Sequence, residues 1–300
     1  MNQGSILNEK IKISKEIEKL KKFKQKELTK KQQNTYMVLM DYLRRQKNLS
    51  MYPYYERILG KTSGQQAQIL LTLSEYRLKN EKDIKSYFQL LKGLDGYFDS
   101  LIEYSKEQVK RNLFLSDQSL KEVLQQIQNV IKQKENNMLV ATFNLRIADI
   151  KGINAAQKKK YCRENKKLIG TKVLPAYEKL YSHLQALNGN GKNENGLYYY
   201  KNGKEYYKVL VAQKTGSDKT IEEMIEISDR SIEKCLRKLI KLQKKYPNII
   251  NEYRNHKKNI KIVQNPQNIL NKLRQKMVKY YPKAPKVSCK IKYAVSYTHL

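Results

Sequence analysis

Between Ser116 and Lys132, apolar residues recur at the spacing of one helix face. Leu120, Val123, Leu124, Ile127 and Ile131 fall at i, i+3, i+4, i+7 and i+11, while Lys121, Gln125 and Gln128 take the other side. The same period returns along most of the chain, and only 12 Gly and 6 Pro stand among 300 residues to break it. The expectation is therefore a mostly all-α fold, a multi-helix scaffold in which each amphipathic stripe packs on a common core.

Start signals sharpen the boundaries. Thr29 with Gln32 forms a capping box ahead of Tyr36, Met40 and Leu43, and Thr220 with Glu223 forms another. Asn80 precedes a face of Ile84, Tyr87, Phe88 and Leu91 that stops near Gly93. A second helix follows with Leu94, Tyr97, Phe98, Leu101 and Ile102, and Ser116 or Asp117 caps the next. Beyond Thr220, Ile225, Ile232, Cys235, Leu239 and Leu242 make a heptad-like seam, interrupted by Ser228 and ended near Pro247. It predicts a long, partly buried bundle helix. The Lys-dense stretch 6–26 predicts a frayed N-terminal helix.

Two places break the period. Residues 187–203 carry Gly189, Gly191, Gly196 and Gly203 among asparagines and predict a surface loop. Within it, Leu197–Tyr200 and Asn202-Gly203 read as a short extended piece and a turn. Near the end, Pro282 and Pro285 exclude helix, and the alternation through Val287, Cys289 and Ile291 predicts one short strand at 287–293.

The formal net charge is +33, and residues 253–300 contain no Asp or Glu. Such a field attracts anionic polymers. Most of the excess, however, is Lys on helix faces opposite apolar stripes (Lys234, Lys238, Lys241 and Lys245), in the Asn/Lys/Ile/Tyr-rich composition of an AT-rich genome. With no RNP pattern, zinc finger or phosphate loop, no nucleic-acid partner is expected. No run approaches the ~20 apolar residues of a membrane span, and residues 1–12 do not form a signal peptide. Cys162, Cys235 and Cys289 form no CxxC pair. His183, His256 and His299 are isolated, so no metal site assembles from local spacing.

Three stretches together resemble a bacterial family called domain of unknown function 885. They are Met51-Tyr52-Pro53-Tyr54-Tyr55-Glu56 with the following 62–68, Val173–Leu180 with its Leu-Pro-Ala-Tyr core, and Asn202–Tyr207 with Lys214–Ser217. The resemblance implies a mostly helical relative of zinc carboxypeptidases. Its members carry H-E-x-x-H on a later helix, where two His bind Zn²⁺ and the Glu activates the metal-bound water. That motif is not in this sequence, so no catalytic residue is carried over. Zinc and a peptide substrate are expected of the full-length protein, and no cofactor of this chain. Relatives are often exported or lipid-anchored at the cell envelope.

The final Val295–Leu300 resembles the in-frame translation of a transposon end used to prepare sequencing libraries. It is set aside from the fold, His299 included. The organisation expected is a basic helical arm at 1–27, a truncated family domain at 28–293 and an artefactual tail at 294–300. Tyr206, Tyr207 and Gly203 are the candidate substrate-cleft residues. Those two tyrosines, with Tyr198, Tyr199 and Tyr200, read either as cleft lining or as core and loop packing. The function expected is that of a peptidase-like fragment, itself inactive; the alternative is a basic helical module that grips an anionic polymer.

Overall fold

A computed structural model describes residues 3–191, 196–259 and 265–281, and among these every regular element is helical. The predicted strand at 287–293 and the tail lie outside the described residues. The chain divides into two compact units, Met1–Lys219 and Thr220–His299.

The first unit opens with α1 (Gln3–Lys21) and α2 (Lys30–Leu49). α1 is not a frayed arm. Ile13, Ile17 and Leu20 share one face, α1 packs along α2, and Ile17 is buried. Then come α3 (Gln65–Ser74), α4 (Glu81–Lys92), α5 (Leu94–Lys110), α6 (Asp117–Lys132), α7 (Met138–Ala148) and α8 (Ala155–Leu168). A π-helical turn, Ile169–Val173, joins α8 to α9 (Leu174–Gln185). Pro175 explains the widening: it has no N–H for the preceding turn, and the Leu174 N–H donates five residues back to Ile169 O. α10 (Gly203–Thr215) closes the unit against α2.

The core sits where α5 and α6 pack on α9 and where α3, α7 and α8 meet. Its aromatic centre is made by Tyr177 edge-on to Phe98 at 4.7 Å, and by Tyr87 and Phe88 stacked on Phe143 at 5.4 and 5.6 Å. Caps fall where local chemistry places them. Thr29 and Thr220 complete capping boxes, Asn80 accepts from the Asp83 N–H, and Ser116 accepts from the Ser119 N–H. Asp117 acts at longer range, its Oδ1 accepting from the Gly189 and Gly191 N–H groups and so tying the 187–191 turn to the start of α6.

The second unit holds α11 (Ile221–Lys245), α12 (Ile249–Asn259) and α13 (Pro266–Met277). The expected partial burial of α11 is not found. Ile225, Ile232, Leu236, Leu239 and Leu242 are 48% to 57% exposed, and none of its residues is buried. An amphipathic pattern fixes which face of a helix is apolar, but does not by itself supply the surface that covers it.

Candidate functional site

The loop from Met51 to Gly64 makes few backbone hydrogen bonds of its own, so its carbonyls must find partners elsewhere. Side chains from α3, α5 and α6 provide them. Gln108 Nε2 donates to Tyr54 O at 2.8 Å and Glu56 O at 3.1 Å, and Tyr104 Oη donates to Glu56 O. Gln66 Nε2 donates to Gly60 O at 2.7 Å, and Gln126 Nε2 to Lys61 O at 3.2 Å. Tyr177, from the Leu-Pro-Ala-Tyr helix, donates its fully buried Oη to Gln66 O at 2.6 Å. Tyr54 sits at φ 71°, a left-handed conformation that a bulky side chain holds only under constraint. The constraints are visible: its carbonyl is held by Gln108, its ring lies 5.0 Å from that of Tyr104, and the Arg111 guanidinium stands 4.4 Å over its face.

On the other side, Leu197–Tyr199 forms a 3₁₀ turn, not the expected extended piece. Gly196 enters it at φ 83°, and Asn202, at φ 55°, leads into α10. Gly203 is required here. A Cβ on it would stand 1.7 Å from Leu197 O, and its N–H donates to Tyr200 O at 2.8 Å. That close approach lets α10 start directly beneath the turn and carries Tyr206, one turn later, inward. Tyr55 Oη donates to Lys201 O and stitches the two segments together, while Tyr200 Oη donates to Phe114 O in the connection between α5 and α6.

Between them lies a pocket of about 760 Å³ whose wall includes Tyr52, Tyr55, Tyr200 and Tyr206, all within the first unit. The Tyr55 ring is the hub, 5.4 Å from Tyr52, 6.2 Å from Tyr200 and 4.9 Å from Tyr206. The charged wall residues are Glu9, Glu56, Arg57 and Lys214. Burial first, then the Glu56 charge, raises the Tyr206 phenol to about 12, and the same two causes raise Tyr104. Tyr55 is raised by burial and then by Tyr52. These hydroxyls stay protonated and available as donors at neutral pH.

The three candidate residues therefore separate. Tyr206 is in the wall and buried. Gly203 shapes the approach without lining the pocket. Tyr207 is 44% exposed and is not part of the wall, because the next residue along a helix points about 100° away. Tyr198 and Tyr199 are surface residues. Tyr52, Tyr55 and Glu56 were not among the candidates. Their signal was a proline inside a tyrosine run, a break that places aromatic side chains on a loop.

Among the described residues no three of His, Cys, Asp and Glu come together as a metal-ligand set. Cys162 is half-buried and Cys235 exposed, both as free thiols, and His183 lies on α9. Cys289 and His299 lie outside the described residues. The described side chains do not fit a zinc centre.

Fold and site together define an all-α scaffold with a tyrosine-walled pocket held between a constrained loop and a glycine-started helix. The family described as bacterial protein of unknown function (DUF885) matches residues 5–298, and the chain belongs to it. No curated protein matches the chain. A crystal structure from Colwellia psychrerythraea, described there as a candidate lipoprotein, superimposes with a TM-score of 0.66 at 15% identity. The match covers 75% of this chain and 40% of that one. It shares the fold, and this chain spans well under half of that protein's length.

Proposed function

We propose that this chain is the helical scaffold and one wall of the substrate cleft of a zinc-peptidase-like hydrolase, and that its own role is to bind and orient peptide. The observation that supports this is convergence. The 51–68 stretch meets the Leu-Pro-Ala-Tyr helix through Tyr177–Gln66 and the approach to α10 through Tyr55–Lys201, each partner more than a hundred residues away, beside one concave, tyrosine-walled pocket. Apolar walls with a few convergent polar groups are the ordinary form of a ligand site. Tyrosine suits peptide in particular, since its flat ring packs on side chains while its hydroxyl meets the amide groups. The described residues offer no metal-ligand set, so the chain by itself is expected not to turn peptide over. Any zinc belongs to the full-length protein.

The test is a titration of the purified chain with labelled, unstructured peptides at low and high salt. Saturable binding that persists at high salt and is lost in Tyr206→Ala supports the proposal. Binding only to anionic polymers, with steep salt dependence, would instead favour the basic-module alternative. Chelator-sensitive peptide turnover by this chain would overturn the assignment of a binding role alone.

A further inference from the structure

The wall of the tyrosine pocket carries two carboxylates beside two bases, Arg57 and Lys214. The chain as a whole carries 61 Lys and Arg against 28 Asp and Glu. Yet Glu9 and Glu56 both line this pocket, and neither makes an ion pair among the described residues. The Glu56 charge reaches Tyr206 and Tyr104. The basic wall residues are less well placed to cancel it: Arg57 directs its Nε to Leu59 O at 3.3 Å, and Lys214 is an exposed residue in the last turn of α10.

The aromatic geometry points the same way. Tyr52, Tyr55 and Tyr206 meet at interplanar angles of 84°, 53° and 43°, so they form walls and not a closed parallel stack. The face of each ring carries the negative lobe of its quadrupole and attracts cations. The polar wall also asks for donors. Carboxylates only accept, and Gln213 Oε1, also an acceptor, is cut off from solvent with no hydrogen-bond partner. An anionic ligand would meet two carboxylates and the faces of three rings, with Arg57 and Lys214 as the bases of the wall.

We infer that the pocket receives a protonated basic group, an alkylammonium or guanidinium, seated against the faces of Tyr52, Tyr55 and Tyr206 with Glu56 as its counter-charge. The peptide origin of that group rests on the proposed function above; the cation preference does not. A basic peptide side chain, a peptide N-terminus and a free polyamine share this chemistry, and the experiment separates them.

Calorimetric titration compares one peptide carrying a central Lys with the same peptide carrying norleucine or Glu, each with a free and an acetylated N-terminus, and with spermidine alone. The Lys peptide is expected to bind about tenfold more tightly than its norleucine twin, the magnitude of a partly desolvated cation–π contact. Glu56→Gln, at an exposed side chain whose loss does not threaten folding, is expected to cut that preference about fivefold. Tyr206→Phe, which keeps a ring face, should retain most of it, while Tyr206→Leu should abolish it. Preference for a free N-terminus over Lys assigns the site to the α-amine and still supports the inference. Equal binding of Lys and norleucine peptides, or preference for Glu, overturns it while leaving peptide binding intact. Binding of spermidine but of no peptide supports the cation site and overturns the peptide reading, and binding of neither overturns both.

Discussion

Replacing Gly203 by alanine should unseat the tyrosine pocket although Gly203 does not line it. The added Cβ would lie 1.7 Å from Leu197 O, 2.9 Å from Leu197 C and 3.2 Å from Tyr200 Cβ, where real contacts keep at least 3.0 Å. The nearest obstacle is backbone, so no flexible side chain can swing aside. Either the 3₁₀ turn or the first turn of α10 must move by more than an ångström. Overpacking of this kind costs about 1–3 kcal/mol. For the first unit, Met1–Lys219, that corresponds to a fall in melting temperature of roughly 2–12 °C. Because the turn carries Tyr200 and α10 carries Tyr206, ligand binding should be lost well below the melting temperature. The matched control is Gly96→Ala on α5, where a Cβ meets nothing within 4 Å. There the gain in helix propensity should stabilise by about 0.5–1 kcal/mol. Calorimetric melts and peptide titrations of the two variants decide the matter. If Gly203→Ala melts at or above the parent and binds peptide normally, the close approach is not what positions Tyr206.

Three further outcomes follow from burial and hydrogen bonding. Arg45, with its side chain 11% exposed, donates to Asp41 and Asp218 at 2.8 and 2.9 Å and to Ala212 O and Ser217 O at 3.1 and 3.3 Å. Arg45→Ala should therefore cost about 1–3 kcal/mol in urea unfolding, whereas Asp218→Asn, at a 90% exposed side chain, should cost less than about 0.5 kcal/mol. Burial raises the Tyr87 phenol from 10.0 to about 12, so its contribution to stability is whole below pH 10 and is lost as pH rises toward 12. Over that window the unfolded chain releases the proton and the folded chain keeps it, and stability should fall by about 1.4 kcal/mol per pH unit on account of this group. Urea midpoints across the window should show a shallower fall in Tyr87→Phe, and an unchanged slope would refute the assignment. On α11, Ile232→Ser and Leu239→Ser should leave the unfolding free energy within about 0.5 kcal/mol of the parent, since both side chains are more than half exposed. A larger loss would mean that the seam is covered.

Helix positions were legible because what sets them is local. A capping hydroxyl or amide three residues from its backbone donor, as at Thr29, Asn80, Ser116 and Thr220, and an apolar face repeating every three to four residues need no knowledge of the rest of the chain. The pocket was less legible. That Tyr206 is buried while Tyr207 is exposed depends on the left-handed Asn202, the Leu197–Tyr199 turn above Gly203 and the docking of α10 on α2. Tyr52, Tyr55 and Glu56 join it only because Gln108 and Gln126, more than fifty residues away, satisfy the loop carbonyls. The exposed seam of α11 shows the same division. Sequence decided that one face would be apolar, since side-chain order and helical period suffice for that. Only the tertiary structure decided what that face meets, because contact between distant segments is a property of the packed whole.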